Sequence, residues 1–415
     1  MSEEFDPNDA LKKADETTST FDSIKNAMKP SNIWAVMQIV SKETMVAKII
    51  WVMIIGLFLT CLIFMIIERN KQSSECKKMD TLYADKISNI QNVVPVDLKT
   101  CNDQCYTLRD YYIKTAYNCC SGGSYKNDYV DTCILKDILK QGVRCLDFEI
   151  YSIDDNPVIA TSTEDSYFIK ETYNSVPFED FMNIIASNAF TASTVPNPTD
   201  PLILHMRIKS SNQNMFTKMA AILKMYDYLT LSPKYSYEYT QCNGDTDAQK
   251  CYANNLGTVP LNELQGKIVI IVDKSNSAIM DNEAFYEYVN LTSNSVFMRC
   301  LSYFDVKYTP DMNELIEYNK QSMTIVLPDV GSNPDNPSGL VTREMGCQMM
   351  AMRYNLVEQN LEENNAFFEK AGSAFVVKPD RLRYSAVTIN LTEENDPLLS
   401  YAPRTVTTDY YNFTM

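Results

Sequence analysis

The longest apolar run in the chain is Ile49–Ile67 (IIWVMIIGLFLTCLIFMII), which holds no charge and is bounded by Lys48 and by Glu68 and Arg69. At about 1.5 Å per residue, a helix of roughly nineteen residues crosses a hydrocarbon core about 30 Å thick. The run starts far from the N-terminus and no small-residue cleavage site follows it, so the pattern predicts an uncleaved anchor at 49–67 rather than a signal peptide. Residues 1–48 read as a disordered and juxtamembrane tail, its first thirty or so residues rich in Asp, Glu, Ser, Thr and Lys. Within it, Asn32–Val40 fits an interfacial helix or a plain extension of the anchor. Residues 68–105 read as a polar stalk. From about Tyr106, apolar strand-like runs (VRCLDFEIY, PLILHMRIK, KIVIIVDK, MTIVLPDV, CQMMAMRYN, AFVVKP) alternate with helix-period segments (VPFEDFMNIIASNAF, MFTKMAAILKMYDYL, MNELIEYNK). That alternation predicts parallel βαβ units, and seven or eight of them over about 280 residues predict a closed (β/α)8 barrel at 106–385. Residues 386–415 read as a C-terminal tail.

The pattern is densest at Gly142–Thr163 (GVRCLDFEIYSIDDNPVIATST). Asp147 and Glu149 share one parity of a strand and therefore one face. Asp154, Asp155 and Asn156 form a turn, and Pro157 opens a second strand, Val158–Thr161.

Charge and rare residues narrow the function. A formal net charge of -16 argues against nucleic acid and against general attraction to anionic lipid, and is otherwise ordinary solubility. His205 is the only histidine, which excludes any mechanism needing two in one chain. It lies in an apolar strand, the setting of a satisfied core or mouth histidine. Of the twelve cysteines, Cys76, Cys101, Cys105, Cys119, Cys120 and Cys133 crowd behind the apolar run, and Cys242 and Cys251 bracket a polar loop. No histidine accompanies them and no CxxC pair occurs, so disulfides are expected rather than zinc. Cys145 and Cys347, inside apolar runs, are expected to be buried and reduced. Lysines and arginines are nearly balanced across the anchor, so charge does not orient it. The cysteines and the sequons at Asn290, Asn390 and Asn412 favour the large C-terminal part on a lumenal, extracellular or virion-exposed side.

Several segments together resemble phosphoinositide-specific phospholipase C. These are the Gly142–Thr163 stretch, PLILHMRIKSSNQNMFTKMA, LNELQGKIVIIVDK, LIEYNKQSMTIVLPD, GCQMMAMRYN and NNAFFEKAGSAFVVKPDRLR. The resemblance covers roughly 112–383, with an X-like half at 112–210 and a Y-like half at 259–383. It implies a TIM barrel and, in active members, attack of the inositol 2-hydroxyl on phosphorus with histidine acid–base groups and a calcium ion.

Carried over position by position, the resemblance implies a barrel without that chemistry. Tyr117 and Thr163 stand where the family has its two histidines. Asn118, Asp147 and Glu149 keep oxygen donors at calcium positions, but Arg207 replaces the fourth ligand and would repel the ion, so no cofactor is expected. Arg207 is expected to fill the calcium position and pair with Asp147 or Glu149. The headgroup-reading lysines correspond to Ile271 and Asp273, and the Arg and Tyr of a later strand to Ile325 and Leu327; Ser302 alone persists. Two further roles are weighed: Arg207 with Lys209 as an anion site against structural pairing, and Cys119–Cys120 as a thiolate nucleophile against a disulfide. The reading is a single-pass membrane protein, of a kind that suits a large DNA virus or a protist surface. Its barrel is a structural or binding module, with a protein partner or a phospholipid headgroup at the mouth. The alternative is a divergent, metal-independent phosphodiesterase.

Overall fold

A computed structural model describes residues 45–83, 88–93, 106–164, 168–237, 241–242, 251–252, 255–385 and 402–415. The N-terminal tail to residue 44, Cys101, Cys105 and Asn390 lie outside these. Contacts divide the chain into two units, Met1–Lys77 and Lys78–Met415. Helix α1 spans Met45–Tyr83. Its segment Lys48–Ile67 has a mean hydropathy of 2.9 and no buried residue, and is long and apolar enough to cross a membrane.

The second unit is a nearly closed parallel barrel. Its strands are β1 (Tyr111–Ala116), β2 (Cys145–Ile153), β5 (Leu202–Ile208), β8 (Ile268–Asp273), β9 (Leu291–Ser293), β10 (Met298–Ser302), β11 (Met323–Leu327) and β12 (Met349–Met352). The ladder runs β10-β11-β12-β1-β2-β5-β8-β9, with β3 (Asn156–Ala160), β4 (Val176–Pro177) and β13 (Phe375–Val377) added at its flanks. The ring is interrupted between β9 and β10. Only residues 294–297 join these strands, and a parallel hydrogen-bonded pair needs a crossover of about a dozen residues. Helices α2 (Thr132–Lys140), α3 (Phe178–Asn188), α4 (Gln213–Lys224), α5 (Glu283–Tyr286), α6 (Tyr303–Lys307), α7 (Met312–Gln321), α8 (Gly339–Glu344) and α9 (Gln359–Ala371) connect the strands. Two small ribbons complete the described elements: β6 (Gln241–Cys242) with β7 (Cys251–Tyr252), and β14 (Thr405–Thr407) with β15 (Asn412–Thr414).

Strand parity sorts the core into two layers. Leu146, Phe148, Ile150, Leu204 and Met206 pack outward against helix residues such as Ile138, Phe181 and Met219. Cys145, Ile203, Val269, Ile271, Ile325 and Met349 fill the barrel. Asp147 and Glu149 share the inward parity of Cys145; His205 and Arg207 share that of Ile203. The long apolar runs arise because these strands are buried on both faces.

Several expectations are corrected. Met79, Tyr83, Ile90 and Val93, within the stretch expected to be a stalk, are buried in the barrel unit. The Val93 N–H donates to Asp200 Oδ1 at 2.7 Å, and Ile90 packs on Gly142, which has a φ of +73° and where a Cβ would come within 3.0 Å of the Ile90 side chain. Apolar residues scattered in a polar stretch had masked this docking. Cys119 and Cys120 are buried free thiols, not disulfide partners, because the turn carrying them sits inside the outer core layer. Cys76 and Cys133 are disulfide-bonded, Cys145 and Cys347 are free and buried, and Cys242 stands opposite Cys251 in its ribbon. Asn290 is not an exposed sequon. Its side chain is buried and accepts the Ile270 N–H at 2.8 Å, splicing β9 to β8.

Candidate functional site

A buried polar cluster centres on one side chain, Arg207. Strand pairing sets the geometry: Asp147 stands beside His205 and Glu149 beside Arg207 across the parallel β2–β5 ladder. Asn118 follows β1 with φ +42°, a conformation Asn tolerates better than most residues, and this turns the chain over the barrel end. Its N–H lies 3.4 Å from Asp147 Oδ2, and the Cys119 N–H donates to the Asp147 carbonyl at 3.1 Å.

The Arg207 guanidinium then meets three partners. Nε and Nη2 donate to Asp147 Oδ1 and Oδ2 at 3.0 and 2.9 Å. Nη1 donates to Glu149 Oε1 at 2.7 Å, and Nη2 to Asn118 Oδ1 at 3.0 Å. The other Glu149 oxygen accepts from the Tyr151 hydroxyl at 2.6 Å and from Ser162 N–H at 2.9 Å. Asn118, Asp147, Glu149 and Arg207 are each no more than 2% exposed. Arg207 thus pairs with both carboxylates rather than with one of them.

Below this cluster His205 bridges two side chains, with Nδ1 2.7 Å from Asp147 Oδ1 and Nε2 2.9 Å from Ser293 Oγ. Burial alone would raise the Asp147 carboxyl, but the Arg207 charge and the His205 hydrogen bond outweigh it and hold it at about 2. Above the cluster lies an aromatic ladder. The Arg207 guanidinium sits 4.9 Å from the centre of the Tyr117 ring. Tyr117 meets Tyr125 edge-to-face at 5.3 Å, and the Arg353 guanidinium covers Tyr125 at 4.9 Å. Burial pushes the Tyr117 hydroxyl well above its ordinary range, against the pull of Arg207, so it stays a neutral phenol.

The residues present do not fit a calcium ion. Both carboxylates and the Asn118 carbonyl already point at a guanidinium that stands among them, which leaves no set of free oxygen donors.

The other expected site residues lie apart from this cluster or bring no charge to it. Thr163 is held by Glu171 through its N–H at 2.7 Å and its hydroxyl at 2.5 Å. Ser302 is exposed at its hydroxyl bonds and caps α6, exchanging hydrogen bonds with Asp305. Ile271 and Ile325 fill the apolar barrel core, Leu327 is buried with them, and Asp273 accepts from Ser275 and Asn294. Lys209, two residues after Arg207, is buried. Sequence reasoning missed Ser293, Tyr125, Arg353, Tyr151 and Ser162. His205 shared strand parity with Arg207, a usable signal, whereas the three-residue strand of Ser293 carried none.

Residues 105–274 match the X domain of phosphatidylinositol-specific phospholipase C. That match runs past the 112–210 span read as X-like and takes in β8, the strand read as opening the Y-like half. The crystal structure of PLC21 from S. officinalis superposes with a TM-score of 0.52 at 19% identity, over 68% of this chain and 38% of that one. PLC21 from L. pealei gives 0.51 at 18%, again over 68% and 38%. The chain therefore spans well under half the length of these proteins, and at such identities the likeness is one of fold. No curated protein matches the chain.

Proposed function

We propose that this phospholipase C-like barrel is a non-catalytic module, held at a membrane by Ile49–Ile67, which serves as a scaffold or as a binding site at its mouth for a protein partner or a phospholipid headgroup. The observation that carries the reading is Arg207, buried and saturated by Asn118, Asp147 and Glu149 where the family resemblance places a metal. With one histidine in the chain, the two-histidine acid–base chemistry of the family has no counterpart. Each lost acid–base group costs about 10²–10⁴ in rate. The full chain in detergent or nanodiscs is expected to hydrolyse neither phosphatidylinositol nor its bisphosphate, with calcium or with chelator. Calcium-dependent turnover would overturn the reading.

A second reading, metal-independent phosphodiester cleavage, draws on the Ser293–His205–Asp147 chain of hydrogen bonds and on the fixed cation at Arg207. Turnover that persists in chelator and disappears in both Arg207→Ala and His205→Ala would select it.

We place the barrel on the oxidising side of the membrane, on the support of disulfide-bonded Cys76 and Cys133. Asn412 is exposed, whereas Asn290 is 3% exposed and hydrogen-bonded. In a secretory host, Asn412→Gln is therefore expected to remove a glycan shift on a denaturing gel, and Asn290→Gln is not. A chain that gains no glycan and is digested from the cytosolic side would reverse the topology.

A further inference from the structure

We infer that Ser121–Val130 is a latched strap across the barrel mouth, one that opens as a unit while the barrel stays folded and so controls access to the Arg207 cluster. The inference rests on the geometry of this loop and is independent of what the mouth binds.

The loop is built to move as one piece. Its ends are tied together by a bridge between Ser121 and Val130, and its neck by Ser121 N–H to the Asn118 carbonyl at 2.9 Å and Asp131 N–H to the Cys120 carbonyl at 2.8 Å. Between the ends, apart from Tyr125 and Tyr129, lie only the small or polar residues Gly122, Gly123, Ser124, Lys126, Asn127 and Asp128. One large side chain points down: Tyr125, 1% exposed, between Tyr117 and Arg353. The strap thus supplies the middle rung of the ladder that covers Arg207.

Besides the Tyr125 contacts, a Tyr129–Tyr173 ring contact at 5.3 Å and Val130 buried at its end, the strap is held by polar latches to loops that follow other strands. Tyr125 N–H and Ser124 Oγ both donate to the Ser332 carbonyl at 3.0 Å, in the loop after β11. Asn355 Nδ2, after β12, donates to the Gly123 carbonyl at 2.6 Å. The segment after β3 makes the most contacts. Thr161 Oγ1 donates to the Tyr125 carbonyl at 3.0 Å, Asn127 N–H to the Glu171 carbonyl at 3.0 Å, and Tyr173 N–H to the Asp128 carbonyl at 2.9 Å. The Glu171 carboxylate pairs with Lys126 at 2.7 Å while it also holds Thr163. Segments with polar latches and little buried apolar area open at lower free energy than packed strands. Glu171 is the shared point: one carboxylate fixes both the strap and the segment it lies on.

Native-state hydrogen exchange on the full chain tests this. The amides of Tyr125 and Asn127 are expected to exchange faster than those of β2 and β5, at a rate set by local opening. Glu171→Gln is expected to speed strap exchange by about tenfold, the loss of a charged latch, without changing β2 or β5. Lys126→Met, a milder change at a half-exposed side chain, is expected to give about a two- to threefold increase. Equal protection of strap and strands in the wild-type protein would overturn the inference. So would acceleration in the variants that spreads uniformly over the barrel. The wild-type comparison decides the matter even if Glu171→Gln does not fold.

Discussion

Replacing Arg207 by alanine is expected to destabilise the barrel by about 3–5 kcal/mol, because it strands two buried carboxylates without a cation. Asp147 and Glu149 are at most 1% exposed, and three of the four guanidinium bonds described go to them. A surface ion pair of the same composition would contribute about 0–1 kcal/mol. Urea unfolding of Arg207→Ala and wild type at neutral pH measures the difference, and a loss under about 1 kcal/mol would show that Arg207 is not the internal counter-ion. Arg207→Glu sharpens the test. With a third carboxylate at the cluster, the variant is expected to be unfolded in chelator and to gain stability as calcium is added, since binding only the folded state stabilises by mass action. The wild-type melting temperature is expected to ignore calcium. The same cluster predicts the acid limit. Asp147 is held at about 2 against an ordinary 3.8, so its contribution is complete above about pH 4 and is lost as pH falls toward 2.

The second large effect concerns two buried lysines. Lys114 is fully buried on β1 with its ammonium 2.8 Å from the Gln141 carbonyl, and Lys378 donates to the Asn319 carbonyl at 2.8 Å. Burial lowers both from 10.5 to about 7, opposed weakly by Glu369 at Lys114 and by Asp110 at Lys378. Between these values the unfolded chain holds protons that the folded protein has released. Stability from these groups therefore rises with pH across that window, and below about pH 7 both states are protonated and the full cost of burial persists. The urea midpoint is expected to rise between about pH 6.5 and about pH 9. Lys114→Met is expected to stabilise by about 1–3 kcal/mol at the lower pH, the gain from removing a buried charge less the cost of the lost hydrogen bond to the Gln141 carbonyl, and to flatten the rise. A midpoint that falls across this range, or a Lys114→Met variant that is less stable near pH 6.5, would contradict the assignment.

Both effects come from charges buried in the barrel unit, whose strands otherwise read as continuous apolar runs. Lys114 lies mid-strand in YYIKTAY and Lys378 just past a strand in AFVVKP, and the local pattern singles out neither as a buried charge. Their burial depends on carbonyl partners far along the chain, at Gln141 and Asn319.

By itself the sequence determined the long apolar segment at 49–67, the βαβ alternation, the barrel and the shared face of Asp147 and Glu149, because each of these follows from local periodicity. That Arg207 stands where the resemblance implies a calcium ligand is an expectation drawn from one segment. Tertiary structure alone decided that Arg207 takes both carboxylates and Asn118 together, since that depends on the β2–β5 register and on the turn after β1. It also decided that His205 joins Asp147 to Ser293 across three strands, that Cys119 and Cys120 stay reduced, and that residues 88–93 pack into the barrel unit. The physical reason is common to all four. Periodicity fixes which way a side chain points, but its partner is fixed by which strand or loop arrives beside it, and that is set by packing between segments distant in the chain.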